Sequence, residues 1–204
     1  MRPRAFTRRI GLCALAACAV LAVATPLAAG AEGGGANNVV FASATADGSS
    51  VDRSALQVSQ IGGPTVASSN IAVARSYACT GCQTAAIAFQ AVLVSGNPDT
   101  VVPANAATAT NAGCNSCSSY AYAYQYVLST GRAVYLSPTG QATMAGLRAQ
   151  AAGLAASGLP PDQLTEELDA LAATFKATID NELIAAGPLV NGASTVRVES
   201  APAS

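Results

Sequence analysis

The stretch NIAVARSYACTGCQTAAIAFQAVLVSG, Asn70 to Gly96, lies without a gap on NAATATNAGCNSCSSYAYAYQYVLSTG, Asn105 to Gly131, at an offset of 35. Eleven of the 27 positions are identical: Asn70/Asn105, Ala72/Ala107, Ala74/Ala109, Cys79/Cys114, Cys82/Cys117, Ala86/Ala121, Ala88/Ala123, Gln90/Gln125, Val92/Val127, Leu93/Leu128 and Gly96/Gly131. An alanine-rich composition inflates the Ala matches, but not the paired CxxC or the glutamine. The stretch reads as a duplicated unit.

Inside each unit the side-chain period is two. Tyr120, Tyr122, Tyr124 and Tyr126 alternate with Ala121, Ala123, Gln125 and Val127, and Ala85, Ile87, Phe89 and Ala91 fill the equivalent places. A helix would scatter that tyrosine ladder around its circumference. A similar alternation precedes each CxxC, so each unit is expected to be strand, CxxC turn, strand. With Thr80-Gly81 and Asn115-Ser116 as central turn residues, the strands close into antiparallel hairpins. Ala72 then faces Phe89 and Ala107 faces Tyr124, small against large. Because alanine favours helix, a helical Thr84 to Val94 is the competing reading, ranked second.

Upstream, Val39 to Thr45, a turn at Asp47-Gly48-Ser49-Ser50 and Leu56 to Ile61 give further strand and hairpin signals. Downstream, the composition changes at Pro138. Gln141 to Ser157 is Ala/Leu-rich, and Gly158-Leu159-Pro160-Pro161 separates it from a second helical segment, Asp162 to Ala186. In the second helix, Leu164, Leu168, Leu171, Phe175, Ile179 and Leu183 recur at three- or four-residue steps and make one apolar face.

The expected fold class is therefore α+β: an antiparallel β domain over residues 32–137, containing duplicated CxxC hairpins at 70–96 and 105–131, then a helical hairpin over 138–187. A tail, 188–204, follows. Thr195 to Val198 reads as a closing strand, and the last residues are expected to be disordered.

The first 31 residues read as a secretory signal peptide. Arg2, Arg4, Arg8 and Arg9 precede an uncharged Ala/Leu/Val-rich run, and Ala29-Gly30-Ala31 is a small-x-small cleavage site that would start the mature chain near Glu32. Three alternatives rank lower. Thr7-Arg8-Arg9 resembles a twin-arginine signal, but Gly11 stands where such signals prefer a bulky apolar residue. Leu15-Ala16-Ala17-Cys18 has lipoprotein-box form, but the apolar run continues past Cys18. Ile10 to Ala31 is also long enough for an uncleaved anchor. The expected location is secreted or cell envelope.

Composition excludes several functions. The 204 residues include no His and no Trp, and only 10% are charged. Without His, the Ser-His-Asp triad, HExxH sites and His-coordinated zinc are ruled out. A net charge of −1, falling to −5 once the leader is removed, offers no basic surface for nucleic acid.

Cys79, Cys82, Cys114 and Cys117 form the one strong constellation, and three readings of it remain open. An oxidising compartment favours structural disulfides, whose connectivity spacing does not decide. Two CxxC knuckles also supply the four thiolates of a tetrahedral zinc site, the alternative metal reading in an otherwise cofactor-free chain. Thiol-disulfide exchange ranks third, since it needs a lowered thiol pKa.

Tyr120, Tyr122, Tyr124 and Tyr126 are weak candidates for a ligand-binding stripe, ranked behind burial in a core. Gln90 and Gln125 suit an internal hydrogen-bonded pair, with a solvated position as the alternative. Glu166, Glu167, Asp169, Asp180 and Glu182 read as a solvated helix face.

At the CxxC units the chain resembles a group of actinobacterial secreted or membrane-attached proteins, which share Asn-x-Ala-x-Ala, then CxxC, then Ala-x-Ala-x-Gln-x-Val. Those motifs are Asn70 to Ala74 with Cys79 to Val92, and Asn105 to Ala109 with Cys114 to Val127. Some of that group are labelled putative peptide zinc metalloproteases. The label does not transfer to a chain without His. The resemblance covers about 100 residues and implies an actinobacterial exported domain without an assigned function.

The sequence thus points to a non-enzymatic exported structural or interaction protein stapled by CxxC disulfides. The alternatives are zinc binding and thiol-disulfide exchange. Its partner would be an envelope component, another protein, or a like chain meeting it through the C-terminal helices.

Overall fold

A computed structural model describes residues 35–186 and 197–203. The leader, its cleavage site and Cys18 lie outside the described residues, as does the segment 187–196.

Six long strands succeed one another: β1 (Gly35–Ala44), β2 (Ser50–Gly62), β3 (Thr65–Tyr77), β4 (Gln83–Ser95), β5 (Thr100–Ala112) and β6 (Ser118–Ser129). They alternate between two sheets. One sheet has the order β1-β3-β5; the other has β2-β4-β6 and is extended by β9 (Arg197–Ala203). All pairs among β1 to β6 are parallel, and β9 adds antiparallel to β6. The chain winds through three coils, each contributing one strand to each sheet.

This overturns the antiparallel hairpin domain. Ala72 pairs with Val40 and Ala107, not Phe89, and Phe89 pairs with Leu56 and Tyr124. The strands flanking a CxxC turn enter different sheets. Each pairs instead with its counterpart 35 residues away, as Asn70 does with Asn105 and Gln90 with Gln125. Turn geometry gives one reason. A two-residue type I′ hairpin needs positive φ at both central residues, whereas positive φ falls on Ala78 (51°) and Gly81 (66°), not on Thr80. Thr84 to Val94 is strand, not the competing helix.

The interior explains why this winding is stable. Between the sheets lie mainly small side chains, including Ala42, Ala72, Ala74, Ala86, Ala88, Ala121 and Ala123, all buried. Stacked coils also place like residues about 4.8 Å apart, a spacing at which amide side chains form ladders. Asn38 Nδ2 donates to Asn70 Oδ1 at 2.9 Å, and Asn70 Nδ2 lies within 3.0 Å of Asn105 Oδ1, Ala88 O and Tyr124 O. The ladder thereby ties one sheet to the other. Gln125 Nε2 donates to Gln90 Oε1 at 2.7 Å, so this pair is internal.

The large residues point the other way. Ile87, Phe89, Leu93, Tyr122, Tyr124 and Tyr126 face outward from the second sheet and are buried beneath two helices, α1 (Pro138–Ala155) and α2 (Pro161–Asn181). β4 is consequently buried on both faces. The apolar stripe of α2, with Leu164, Leu168, Leu171, Phe175 and Ile179, packs against that sheet together with Met144, Leu147 and Ala151 of α1. Phe175 meets Phe89 and Tyr124 edge-on at centroid distances of 6.0 and 6.2 Å. Ser137 caps α1 by accepting from Gly140 N. The second helix ends at Asn181 rather than Ala186, because β8 (Leu183–Ala185) follows α2 and pairs antiparallel with β7 (Val134–Leu136), so Leu183 belongs to β8 and not to the helical stripe.

The second sheet is extended beyond β6 and contacted at β2. β6 is paired by β9, within the segment expected to end in disorder, and Arg148 Nε on α1 donates to Leu56 O of edge strand β2 at 3.1 Å. Among the described residues nothing covers the outer face of β1-β3-β5, where Val39 is 62% and Phe41 57% exposed.

Candidate functional site

The turns joining the two sheets stack at one end of the coils. Gly48 N donates to Thr80 O and Gly81 N to Asn115 O, both at 2.8 Å, and Thr80 and Asn115 form a parallel bridge. Gly48, Gly81 and Ser116 occupy the same turn position with φ of 68°, 66° and 55°, and Ala78 and Gly113 share another left-handed position. In the first coil Asp47-Gly48-Ser49 takes the place of Thr80-Gly81-Cys82. Asp47 Oδ1 accepts from Thr80 N at 2.7 Å, and Ser49 Oγ sits 3.8 Å from Cys82 Sγ.

This stacking brings all four expected cysteines to one place. Cys79 and Cys82 are joined, with sulfurs 2.01 Å apart. Cys114 and Cys117 are thiols, each partly exposed. Cys79 lies at the centre of the group, with its Sγ 3.7 Å from Cys114 Sγ and 3.9 Å from Cys117 Sγ. Cys79 and Cys82 are buried and also contact Ala44.

The geometry permits a test of the zinc alternative. Sulfurs of a zinc thiolate tetrahedron with bonds of about 2.3 Å stand roughly 3.8 Å apart. The sulfurs of Cys79, Cys82 and Cys117 lie within 4.8 Å of one another, close enough to gather around a metal, but Cys79 and Cys82 are bonded to each other and would have to be reduced and separate to serve as two ligands. Their electrostatic surroundings do not suit a metal. Cys79 Sγ lies 3.8 Å from Ala44 O, Cys82 Sγ lies 3.2 Å from Ala46 O, and Cys117 Sγ donates to Cys79 O at 3.3 Å. Carbonyl oxygens accept from thiols but repel thiolates. The Cys117 thiol is pushed above its ordinary pKa by desolvation, with the neighbouring Cys114 adding to the effect. The group fits neutral sulfur chemistry, thiol or disulfide, better than a bare thiolate cage.

The tyrosine ladder has a different position. Tyr122, Tyr124 and Tyr126 are buried and Tyr120 half-buried, all beneath α2, so they form no surface stripe. Their hydroxyls reach polar groups on the helix. Tyr120 Oη bonds Thr165 Oγ1 at 2.9 Å, Tyr122 Oη donates to Asp169 Oδ1 at 2.8 Å, and Tyr126 Oη donates to Asp180 Oδ1 at 2.6 Å. Lys176 pairs with Asp180 at 2.9 Å and lies over the Tyr126 ring. The solvated carboxylate face therefore divides: Glu166 and Glu167 are exposed, Asp169 and Asp180 receive tyrosine hydroxyls, and Glu182 accepts from Ser137 Oγ. Sequence reading missed these partners. Their only signal was carboxylates flanking the Leu stripe, which spacing alone does not link to a strand over 40 residues away.

A groove of about 320 Å³ opens beside the cysteine turns, between the start of β4 and β6 and the α1–α2 connection. Asp52, Gln83, Tyr120 and Pro161 line it. Together, fold and site define a three-coil parallel β stack with a helical cover and a cysteine cluster on one row of turns. Comparisons with protein-family models, curated proteins and solved structures return no match to the chain.

Proposed function

We propose that the chain is an exported, non-enzymatic structural or interaction module of the cell envelope or extracellular space, stapled at its cysteine turns. The observation that supports this reading is the Cys79–Cys82 bond on a coil turn, with the second CxxC stacked directly on it. Disulfides persist in oxidising compartments, and the leader-like first 31 residues would deliver the chain to one. A rigid stack with small, ladder-tied interior residues suits a scaffold.

Expression of the full chain in an actinobacterial host, followed by intact-mass analysis of medium, envelope and cytoplasm, tests the proposal. The expected product lies outside the cytoplasm, begins near Glu32 and resists alkylation at Cys79 and Cys82. Retention in the cytoplasm with four alkylatable thiols and one bound zinc would replace it with the metal reading.

A further inference from the structure

The cysteine cluster holds a disulfide and two thiols in contact, which is the complete reactant set for thiol-disulfide exchange. Cys79 is in reach of both downstream sulfurs, at 3.7 and 3.9 Å, and the contact is maintained by backbone bonds between adjacent turns. Exchange proceeds by attack of a thiolate on one disulfide sulfur. No other reactive partner is required.

We propose that the stacked turns form an intramolecular thiol-disulfide exchange unit, in which the Cys79–Cys82 bond passes to Cys114 and Cys117 through a Cys79–Cys114 intermediate. Cys114 loses a proton to solvent and its sulfur lone pair attacks Cys79 Sγ. The Cys79–Cys114 bond forms, the Cys79–Cys82 bond breaks, and Cys82 leaves as a thiolate that takes up a proton. Cys117, whose pKa desolvation raises, is a thiolate in only a small fraction at neutral pH; that fraction attacks Cys114 Sγ in the slower second step, forming Cys114–Cys117 and releasing Cys79 as a thiolate that is reprotonated. Each stage holds one disulfide and two reduced sulfurs, so no external oxidant or reductant is consumed. The intermediate is distinctive because it bonds neighbouring coils to each other. This activity extends beyond the structural role and does not depend on export.

The full chain with only Cys79–Cys82 oxidised, isolated after acid quenching, provides the test. On return to neutral pH without added oxidant, free thiols are alkylated with N-ethylmaleimide at intervals and the disulfides mapped by peptide mass spectrometry. The expected result is first-order appearance of Cys114–Cys117 at a rate unchanged over a tenfold range of protein concentration. Cys117→Ser should raise the Cys79–Cys114 fraction severalfold, because the resolving thiol is removed. Persistence of Cys79–Cys82 alone, or a rate that rises with protein concentration, would overturn the proposal. If the variant does not fold, the wild-type time course still decides.

Discussion

The Tyr122 hydroxyl on β6 donates to Asp169 Oδ1 on α2 at 2.8 Å, one turn beyond the point where Tyr120 meets Thr165. Two strand residues rise about 6.6 Å and four helix residues about 6 Å, so strand and helix run in step over this interval. The tyrosine row thus sets the axial position of α2 while its rings fill the core.

Removing one hydroxyl should therefore weaken the helix-to-sheet attachment without emptying the core. Tyr122→Phe is expected to cost about 1.5 kcal/mol, the range of a hydrogen bond to a charged group. Tyr122→Asp puts an unpaired carboxylate at a fully buried core position and should unfold the chain. Urea unfolding followed by circular dichroism measures both; an unchanged midpoint for Tyr122→Asp would refute the core assignment.

Alkaline pH should destabilise the protein through the same row. Desolvation raises the pKa of both Tyr120 and Tyr122, and at Tyr122 the Asp169 hydrogen bond adds to it. The unfolded chain then loses these protons first. Stability is full below the ordinary phenol pKa of about 10 and falls as pH rises above it, more through Tyr122 than through the half-buried Tyr120. Tyr122→Phe should show a shallower decline in a pH series of thermal melts.

The asparagine ladder predicts a steep internal gradient. Asn70 is fully buried and bonded both along the ladder and across to the second sheet, whereas Asn105 is only partly buried. Asn70→Ala should cost about 3 kcal/mol, since it strands buried carbonyls and opens a void. Asn105→Ala should cost less. Equal losses in denaturant titrations would contradict the ladder's central position at Asn70.

At the turns, Ser116 and Gly81 occupy equivalent left-handed positions, with φ of 55° and 66°. Ser116→Gly relieves backbone strain and should stabilise by about 0.5 kcal/mol, while Gly81→Ala should destabilise by about 1 kcal/mol. Opposite shifts in melting temperature are the expected signature.

A close approach at the start of α1 gives a fifth test. A Cβ on Gly140 would stand 2.7 Å from Glu182 Cβ and 3.2 Å from Leu136 Cδ2. Gly140→Ala should cost about 2 kcal/mol through this overpacking, and a neutral effect in a thermal melt would contradict the packing of α1 on the β8 end.

Much of this architecture was legible locally. The alternation of Tyr with Ala marked β6 as a strand, and the offset of 35 between the CxxC stretches is the offset at which β3 pairs with β5. The first coil escaped notice because β1 pairs with β3 at an offset of 32 and β2 with β4 at 33, leaving few identities beyond Asn38/Asn70 and Gln57/Gln90. A long gap hides a partner just as effectively. Nothing in the spacing of Asp169 or Asp180 links them to Tyr122 or Tyr126.

Residue pattern by itself determined which segments extend, which coil into helices, which face of each is apolar and where the cysteines turn, because these follow from side-chain period and backbone preference. Tertiary structure decided what each strand pairs with. A period of two is the same in a hairpin and in a parallel stack, so Ala72 could have faced either Phe89 or Ala107. The choice was made by contacts between distant residues: small side chains that let two sheets approach, asparagines and glutamines that bond to like residues at coil spacing, and turns whose left-handed residues carry the chain from one sheet to the other.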